Sequence, residues 1–257
     1  DGQSATITGA TATVDSNVGA PSVTTDPQRP GKVLSLETAS MSYLTATSIP
    51  EGLPKGTDST TVSLWLKPKE GRDADPNACA FYYGDSTGGF HLIGNNNNFL
   101  RYTVSSGAEV NAEYMCMRNM SVERKWYHVV CTCERATGAL AIYVDGRLVS
   151  SRTCWGTMVT PTCFYLGRKT SSETAWFQGC IDDVEVYDRV FTADEVLRLY
   201  REESGLAANR QVPPTTDLSV SEGATFAVLD ATETAVRSLS GAGTVEVEPA
   251  AKLTVSD

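Results

Sequence analysis

The sequence predicts an all-β chain: an antiparallel sandwich, one short helix at its close, and a smaller β-rich tail. Three observations lead there. Short runs of alternating apolar residues recur about every ten residues, with Gly, Asn and Asp at the breaks between them. A helical period stands out in one place, from Thr192 to Tyr200. The composition then changes at Leu206, where cysteine disappears, Phe226 is the last aromatic, and Ala, Thr, Ser, Val and Glu dominate. A chain of 257 residues with 41% hydrophobic content can bury a sizeable core, and one large β domain with an appendage suits that length.

Taken in order, Ala5 to Thr8 and Ala12 to Val14 are short β-prone pieces, and Pro21, Pro27, Pro30 and Gly31 interrupt the chain before Val33. Val33 to Leu36 and Tyr43 to Ala46 read as strands. Thr60 to Pro68 alternates cleanly, with Val62, Leu64 and Leu66 on one face and Trp65 on the other. Cys79 to Tyr83, Phe90 to Ile93 and Phe99 to Val104 give three more strands, the last two joined by a turn at Gly94 and Asn95 to Asn98. Trp126 to Val130 and Ala139 to Asp145 form a strand pair around Ala136-Thr137-Gly138. The second strand reaches Asp145-Gly146, a dipeptide suited to a tight turn because both residues tolerate positive φ. Thr192, with Glu195 three residues on, is a capping box opening the helix, whose apolar side is Val196, Leu197 and Tyr200. Pro213-Pro214 marks a linker. Leu218 to Val220, Thr225 to Leu229, Ala235 to Leu239, Gly243 to Val247 and Lys252 to Val255 follow as short strands.

Several of these segments carry a resemblance. Trp126-x-His128-Val129, then Ile142-Tyr143-Val144-Asp145-Gly146, then Phe177-x-Gly179-x-Ile181-Asp182-Asp183-Val184-x-Val186-Tyr187-x-Arg189 and a brief helix occur in the order seen in laminin G-like domains of the concanavalin A-like lectin/glucanase superfamily. The strand Thr61-Val62-Ser63-x-Trp65-x-Lys67 matches that pattern too. The resemblance implies a concanavalin A-like jelly-roll sandwich over residues 1–205. Residues 206–257 form the appendage. There, Leu218 to Ala224 and Ser238 to Val245 resemble the autotransporter-associated β-strand repeat, whose units stack as a β-solenoid. One or two such units cannot bury a continuous core alone, so this tail, possibly a truncated solenoid, needs a partner surface and is expected to belong to a longer chain.

Charge narrows the function. A net charge of −10 argues against a nucleic-acid groove or an anionic membrane surface, and no run of 18 apolar residues is present to span a bilayer. The sequence begins at Asp1 without an initiator methionine, which suggests either a processing site or a chosen boundary of the chain. All seven cysteines lie between Cys79 and Cys180. Cys154 and Cys163 bracket a loop that a disulfide could close, which suits a secreted protein, while Cys131 and Cys133 share one strand face and read as small buried hydrophobes. The chain lacks C-x-x-C pairs, and zinc is not expected.

Candidate chemistry falls into three groups. For glycoside hydrolysis, laminarinase-type relatives place their carboxylates as E-x-D-x-x-E, and that string is missing here. His128 matches a structural strand position and His91 has no evident acidic partner, so a nucleophile–base pair is not expected either. The resemblance implies a structural calcium at the sheet rim, with Asp182 as the acidic ligand and backbone oxygens from the N-terminal segment. The competing role for Asp182 is to cap a turn or to form an ion pair with Arg168 or Arg189. For glycan recognition, Trp155 and Trp176 lack the alternation of core positions, whereas Trp65 and Trp126 read as packing residues. Tyr82, Tyr102 and Arg101 could line the concave sheet. The resulting expectation is a non-catalytic module of a secreted or cell-surface bacterial protein that recognises a glycan or glycosylated partner. The alternative is a structural or adhesive spacer on a solenoid stalk.

Overall fold

The structure, a computed structural model, describes residues 12–16, 21–36, 42–46, 53–54, 56–69, 78–84, 89–96, 99–104, 109–112, 125–155, 161–169, 176–204, 215–228, 233–247 and 251–255. Two compact units divide the chain, Asp1–Ser204 and Gly205–Asp257.

The first unit is a sandwich of two seven-stranded antiparallel sheets. Sheet A runs in the order β1 (Ala12–Ser16), β4 (Ser42–Ala46), β13 (Cys163–Leu166), β6 (Cys79–Gly84), β7 (Gly89–Asn96), β8 (Phe99–Thr103), β9 (Glu109–Ala112). Sheet B runs β12 (Arg147–Thr153), β11 (Ala139–Val144), β10 (Tyr127–Glu134), β5 (Thr60–Pro68), β14 (Gly179–Tyr187), β3 (Arg29–Ser35), β2 (Ser22–Asp26). Alternation along each strand divides its residues between two faces. Val62, Leu64 and Leu66 of β5 join Val129, Cys131 and Cys133 of β10 and Leu140, Ile142 and Val144 of β11 in the main core. Across from them pack Phe81, Ile93, Leu100, Tyr102 and Phe164 of sheet A. Each such side chain, buried in full, contributes roughly 1.5–3 kcal/mol. Cys131 and Cys133 do lie within this core, and burial pushes the thiol of each up. Cys154 and Cys163 are not bonded to each other; the Cys163 thiol donates instead to the Gly84 carbonyl at 3.3 Å.

Trp65, on the opposite face of β5, packs with Val33, Trp126 and Cys180 on the outside of sheet B. Helix α1 (Ala193–Glu203) covers that outside. Thr192 caps it, its hydroxyl accepting the Glu195 amide while the Glu195 carboxylate accepts the Thr192 amide, so both halves of the capping box form. Val196 packs with Val130, Tyr143 and Phe191, and Tyr200 stacks on Trp65 at 5.8 Å. The β11–β12 turn also forms as read: Asp145 and Gly146 have φ of 50° and 77°.

The structure departs from the sequence reading at several points. Gly94, Asn95 and Asn96 belong to β7 rather than to a turn, and Asn97 and Asn98 lie outside the described residues, as do Ala5 to Thr8. Val184 and Val186 of β14 are half-buried and pack against the edge of the core. The register of β14 on β5 shifts between Asp182 and Glu185, and Asp183 there takes a φ of 41°. Such a bulge re-aims the side chains that follow it.

The second unit pairs its strands in parallel: β15 (Asp217–Val220) with β18 (Ser238–Gly241), β16 (Thr225–Val228) with β19 (Thr244–Val247), and β17 (Glu233–Val236) with β20 (Lys252–Val255). Each strand is repeated 19 to 21 residues later (217 to 238, 225 to 244, 233 to 252), so the chain makes two turns of a three-sided coil. The segment read as one strand from Ala235 to Leu239 breaks at Arg237, which turns the corner between two sides. Its guanidinium bonds the Asp217 carboxylate.

Candidate functional site

Three clusters hold the residues that the sequence singled out. The first lies on the outside of sheet B under α1. Trp65 pairs with His128 on one side and Asp182 on the other, which sets the three in one cross-strand row. Arg29, at the start of β3, reaches over them. Its Nε donates to Asp182 Oδ2 at 3.1 Å, its terminal nitrogen bonds Asp183, and its guanidinium carbon lies 4.1 Å from the centre of the Trp65 ring. The Arg29 and Asp182 side chains are 3% and 5% exposed, so this is an ion pair in a desolvated setting. Burial, seconded by Asp183, raises the Asp182 pKa even against the pull of Arg29. Asp182 therefore pairs with Arg29, not with Arg168 or Arg189.

That pairing bears on calcium. A calcium shell takes six to eight oxygens, and the described residues contain no group of three or more acidic, His or Cys side chains able to hold a metal ion. The Asp182 carboxylate already faces a fixed cation, which would repel a second one. Among the described residues Asp182 is thus engaged by Arg29, and part of the N-terminal segment expected to supply backbone carbonyls, residues 1–11, lies outside them. The expected result is a melting temperature unchanged by EDTA or by added calcium. An EDTA-sensitive transition would instead show that the ion binds and that Asp182 is open to it.

Beside this row, His128 contacts both Ser63 of β5 and Glu203 at the end of α1. Ser63 Oγ lies 2.8 Å and Glu203 Oε2 3.4 Å from the same ring nitrogen, His128 Nε2, and Nδ1 has no partner. A catalytic triad needs serine and carboxylate on opposite nitrogens so that the acid orients the base. Ser63 and His128 are fully buried, beyond reach of a substrate. Burial, with Arg29 adding to it, lowers the His128 pKa to about 3, so the ring is neutral at pH 7. Glu203 accepts from Trp65 Nε1 at 2.5 Å, and burial raises its pKa to about 7. These groups fasten the end of α1 to sheet B.

The second cluster occupies the outside of sheet A. Tyr82 and Cys79 on β6 pack with Tyr165 and Cys163 on β13. Tyr43 meets both Tyr165 and Trp176, at 5.8 and 5.6 Å between ring centres, and the Arg168 guanidinium lies 4.6 Å from the rings of Tyr43 and Trp176. Sequence reasoning named Trp176 and Tyr82 but missed Tyr43, Tyr165 and Arg168. The alternation in Cys163-Phe164-Tyr165-Leu166 was the signal available. Arg101 is half-buried and pairs with Gly94 and Asn111, two strands away from Tyr82. Tyr102 corrects the sequence reading: it points the other way, into the main core, where it is fully buried and burial pushes its phenol up. Residues adjacent along a strand face opposite sides, so Arg101 and Tyr102 cannot line one surface. Most of this cluster is closed to solvent, with Tyr43, Tyr82 and Arg168 all buried.

The third cluster is open. Trp155, just past β12, is 60% exposed, and it is the one aromatic among the large hydrophobic side chains exposed in the described residues. One face of its indole lies on Gly138 in the β10–β11 turn: a methyl group at 138 would come within 2.8 Å of Cε2 and 3.0 Å of Cδ2. The turn is itself pinned, with the Gly138 amide bonded to the Glu134 carbonyl and the Cys154 amide to the Gly138 carbonyl, both at 2.9 Å. The Thr137 hydroxyl donates to Glu134 Oε2 at 2.5 Å in the same turn. The result is a held aromatic plate with one open face and carboxylate and hydroxyl groups in the turn beneath it. His91 lies on β7, and its side chain is outside the described residues.

The chain belongs to the concanavalin A-like lectin/glucanases superfamily, whose model matches residues 39–197. Solved structures share the fold at low identity. Domain 4 of AbnA, a GH43 extracellular arabinanase from Geobacillus stearothermophilus in complex with arabinotriose, aligns with a TM-score of 0.53 at 20% identity, over 74% of this chain and 87% of that one. The botulinum neurotoxin serotype D ligand binding domain in complex with N-acetylneuraminic acid aligns at 0.57 and 14% identity, over 76% of this chain and 47% of that one. The binding domain of Paraclostridial Mosquitocidal Protein 1 gives 0.59 and 14%, over 74% and 47%. This chain thus spans about half the length of those two toxin domains. No curated protein matches it.

Proposed function

We propose that the sandwich is a non-catalytic glycan-binding module of a secreted or cell-surface protein, and that Trp155 is its contact plate. The observation that carries this is the Trp155 indole, fixed on Gly138 from below and open above. A pyranose or furanose ring presents a patch of C–H groups that packs on an aromatic face, while its hydroxyls seek nearby acceptors and donors. Trp155 offers the first kind of partner. A rigid plate adds affinity because little side-chain freedom is lost on binding. The similar solved structures support the reading, since two of them hold saccharides. The buried Ser63–His128–Glu203 contact gives no route to catalysis.

An array of immobilised neutral and acidic glycans tests this. The chain is expected to bind a subset, and Trp155→Ala to lose at least tenfold in affinity while melting as the parent does, because the side chain is mostly in solvent. Trp176→Ala should affect stability more than binding. A blank array would favour the second reading, a spacer, for which the parallel coil of the second unit is the supporting observation.

A further inference from the structure

The end of α1 is held differently from its start. At the start, Val196 packs on Val130, Tyr143 and Phe191, and the capping box closes the first turn. At the end, Glu203 turns its carboxyl group back onto the outside of sheet B, where its side chain is 14% exposed. Its Oε2 accepts from Trp65 Nε1 of β5 at 2.5 Å and lies 3.4 Å from His128 Nε2 of β10, while its backbone carbonyl accepts from Arg29 of β3. Tyr200, one turn earlier, stacks on Trp65 and on His128 at 5.8 Å from each. The Ser204 amide bonds the Tyr200 carbonyl at 2.9 Å and closes the last turn. Of the groups facing Glu203, the Trp65 indole and Arg29 favour a carboxylate, and the pull of Arg29 is divided because it already bonds Asp182 and Asp183. Burial, with Glu185 and Asp183 of β14, disfavours the charge and prevails. His128 is neutral at pH 7, and Tyr187 of β14 keeps its phenol proton because burial and Glu185 push it up.

We propose that Glu203 is a proton-operated latch on the last turn of α1: with its proton it keeps the turn closed on sheet B, and without it the turn opens more often while the helix before it stays docked. A buried carboxylate short of partners is relieved by moving into water. A helix end is where that move costs least, because its last carbonyls have no partners within the helix and terminal turns open far more readily than cores. Ser204 closes the first unit and Gly205 begins the second, so the latch lies where the chain leaves the sandwich. Docked, the carboxyl group has its pKa at about 7, and in an open turn it returns to its ordinary 4.5. The hold is therefore complete below pH 4.5 and is lost as pH rises through about 7. Between pH 6 and pH 8 the ratio of open to closed turn should rise about tenfold.

Hydrogen exchange at the amides of Arg201 to Ser204 reads the latch in the full chain, each rate divided by that of an unstructured amide at the same pH. The amides of Val196 and Leu197 serve as the reference within the same helix. Protection at Arg201 to Ser204 is expected to fall about tenfold from pH 6 to pH 8 and to hold steady at Val196 and Leu197. Glu203→Gln, which cannot ionise, should show equal protection at the two pH values throughout the helix. Unchanged protection in the parent would overturn the proposal. So would a fall of the same size in Glu203→Gln, which would assign the titration to another group. A fall shared by Val196 and Leu197 would also overturn it, because the whole helix would then be leaving together. None of these outcomes depends on glycan binding by the sandwich.

Discussion

Arg29→Met is expected to destabilise the sandwich by about 3–5 kcal/mol, the usual cost of leaving one member of a buried ion pair alone. Arg29 and Asp182 are nearly solvent-free, and the guanidinium also lies against Trp65 and donates to the Glu203 carbonyl at 3.4 Å. Removing it leaves the Asp182 carboxylate to choose between an unpaired buried charge and a proton, and its pKa must climb further. Arg29→Met combined with Asp182→Asn should regain most of the loss, because the stranded charge goes too. The exposed pair of Arg189 and Glu195, at 2.6 Å, is the contrast: Arg189→Ala should cost less than about 1 kcal/mol. Urea denaturation at pH 7 reads all three. A loss below about 1 kcal/mol for Arg29→Met would show that solvent screens the pair after all.

The second large effect is one of pH. The Glu203 pKa of about 7 stands above its ordinary 4.5, so the folded state holds the proton more tightly than the unfolded chain does. The stability tied to that proton is complete below pH 4.5 and is lost as pH rises through about 7. Glu203→Gln keeps a neutral group that can still accept from Trp65. It should therefore be more stable than the parent by about 2–3 kcal/mol at pH 8, from about 2.5 pKa units at 1.36 kcal/mol each, with some reduction for partial exposure. At pH 4.5 the difference should vanish. His128 works in the opposite direction: its folded pKa of about 3 lies below 6.5, so its contribution is lost as pH falls from 6.5 toward 3. That loss is common to both proteins and cancels in the comparison. Melting curves from pH 4.5 to 8.5 check it, and a constant difference across that range would contradict the assignment.

Much of the sandwich is legible in the sequence because alternation reports burial directly. Thr60–Pro68 reads correctly to its ends, including Trp65 on the face away from the core, and the capping box fixes the start of the helix. Strands without that alternation escape notice. Arg147–Thr153 and Ser22–Asp26 are both largely exposed, and neither carries an apolar period. The site is less legible, for two reasons. Tyr102 and Arg101 are neighbours in sequence, and composition alone does not say which of them a strand turns inward. Arg29 lies 153 residues from Asp182, a separation at which local patterns are silent; only the sheet order, with β3 beside β14, brings them together. Trp155 was recognisable as a non-core aromatic, but the glycine beneath it comes from another hairpin, and this long-range contact makes the plate rigid. The parallel coil was half-legible: its strands show as short apolar runs, whereas their parallel pairing depends on a repeat of about twenty residues and a corner at Arg237.

If the sandwich binds glycans as proposed, Trp155 meets the saccharide. Titration of the ¹⁵N-labelled chain with oligosaccharides that it retains on the array tests it most directly, followed through the indole N–H signals of Trp65, Trp126, Trp155 and Trp176. The Trp155 signal is expected to move in a saturable way, while those of Trp65 and Trp126, buried against sheet B, stay in place. Saturable movement of Trp176 with a stationary Trp155 would contradict it and move the site to the outside of sheet A.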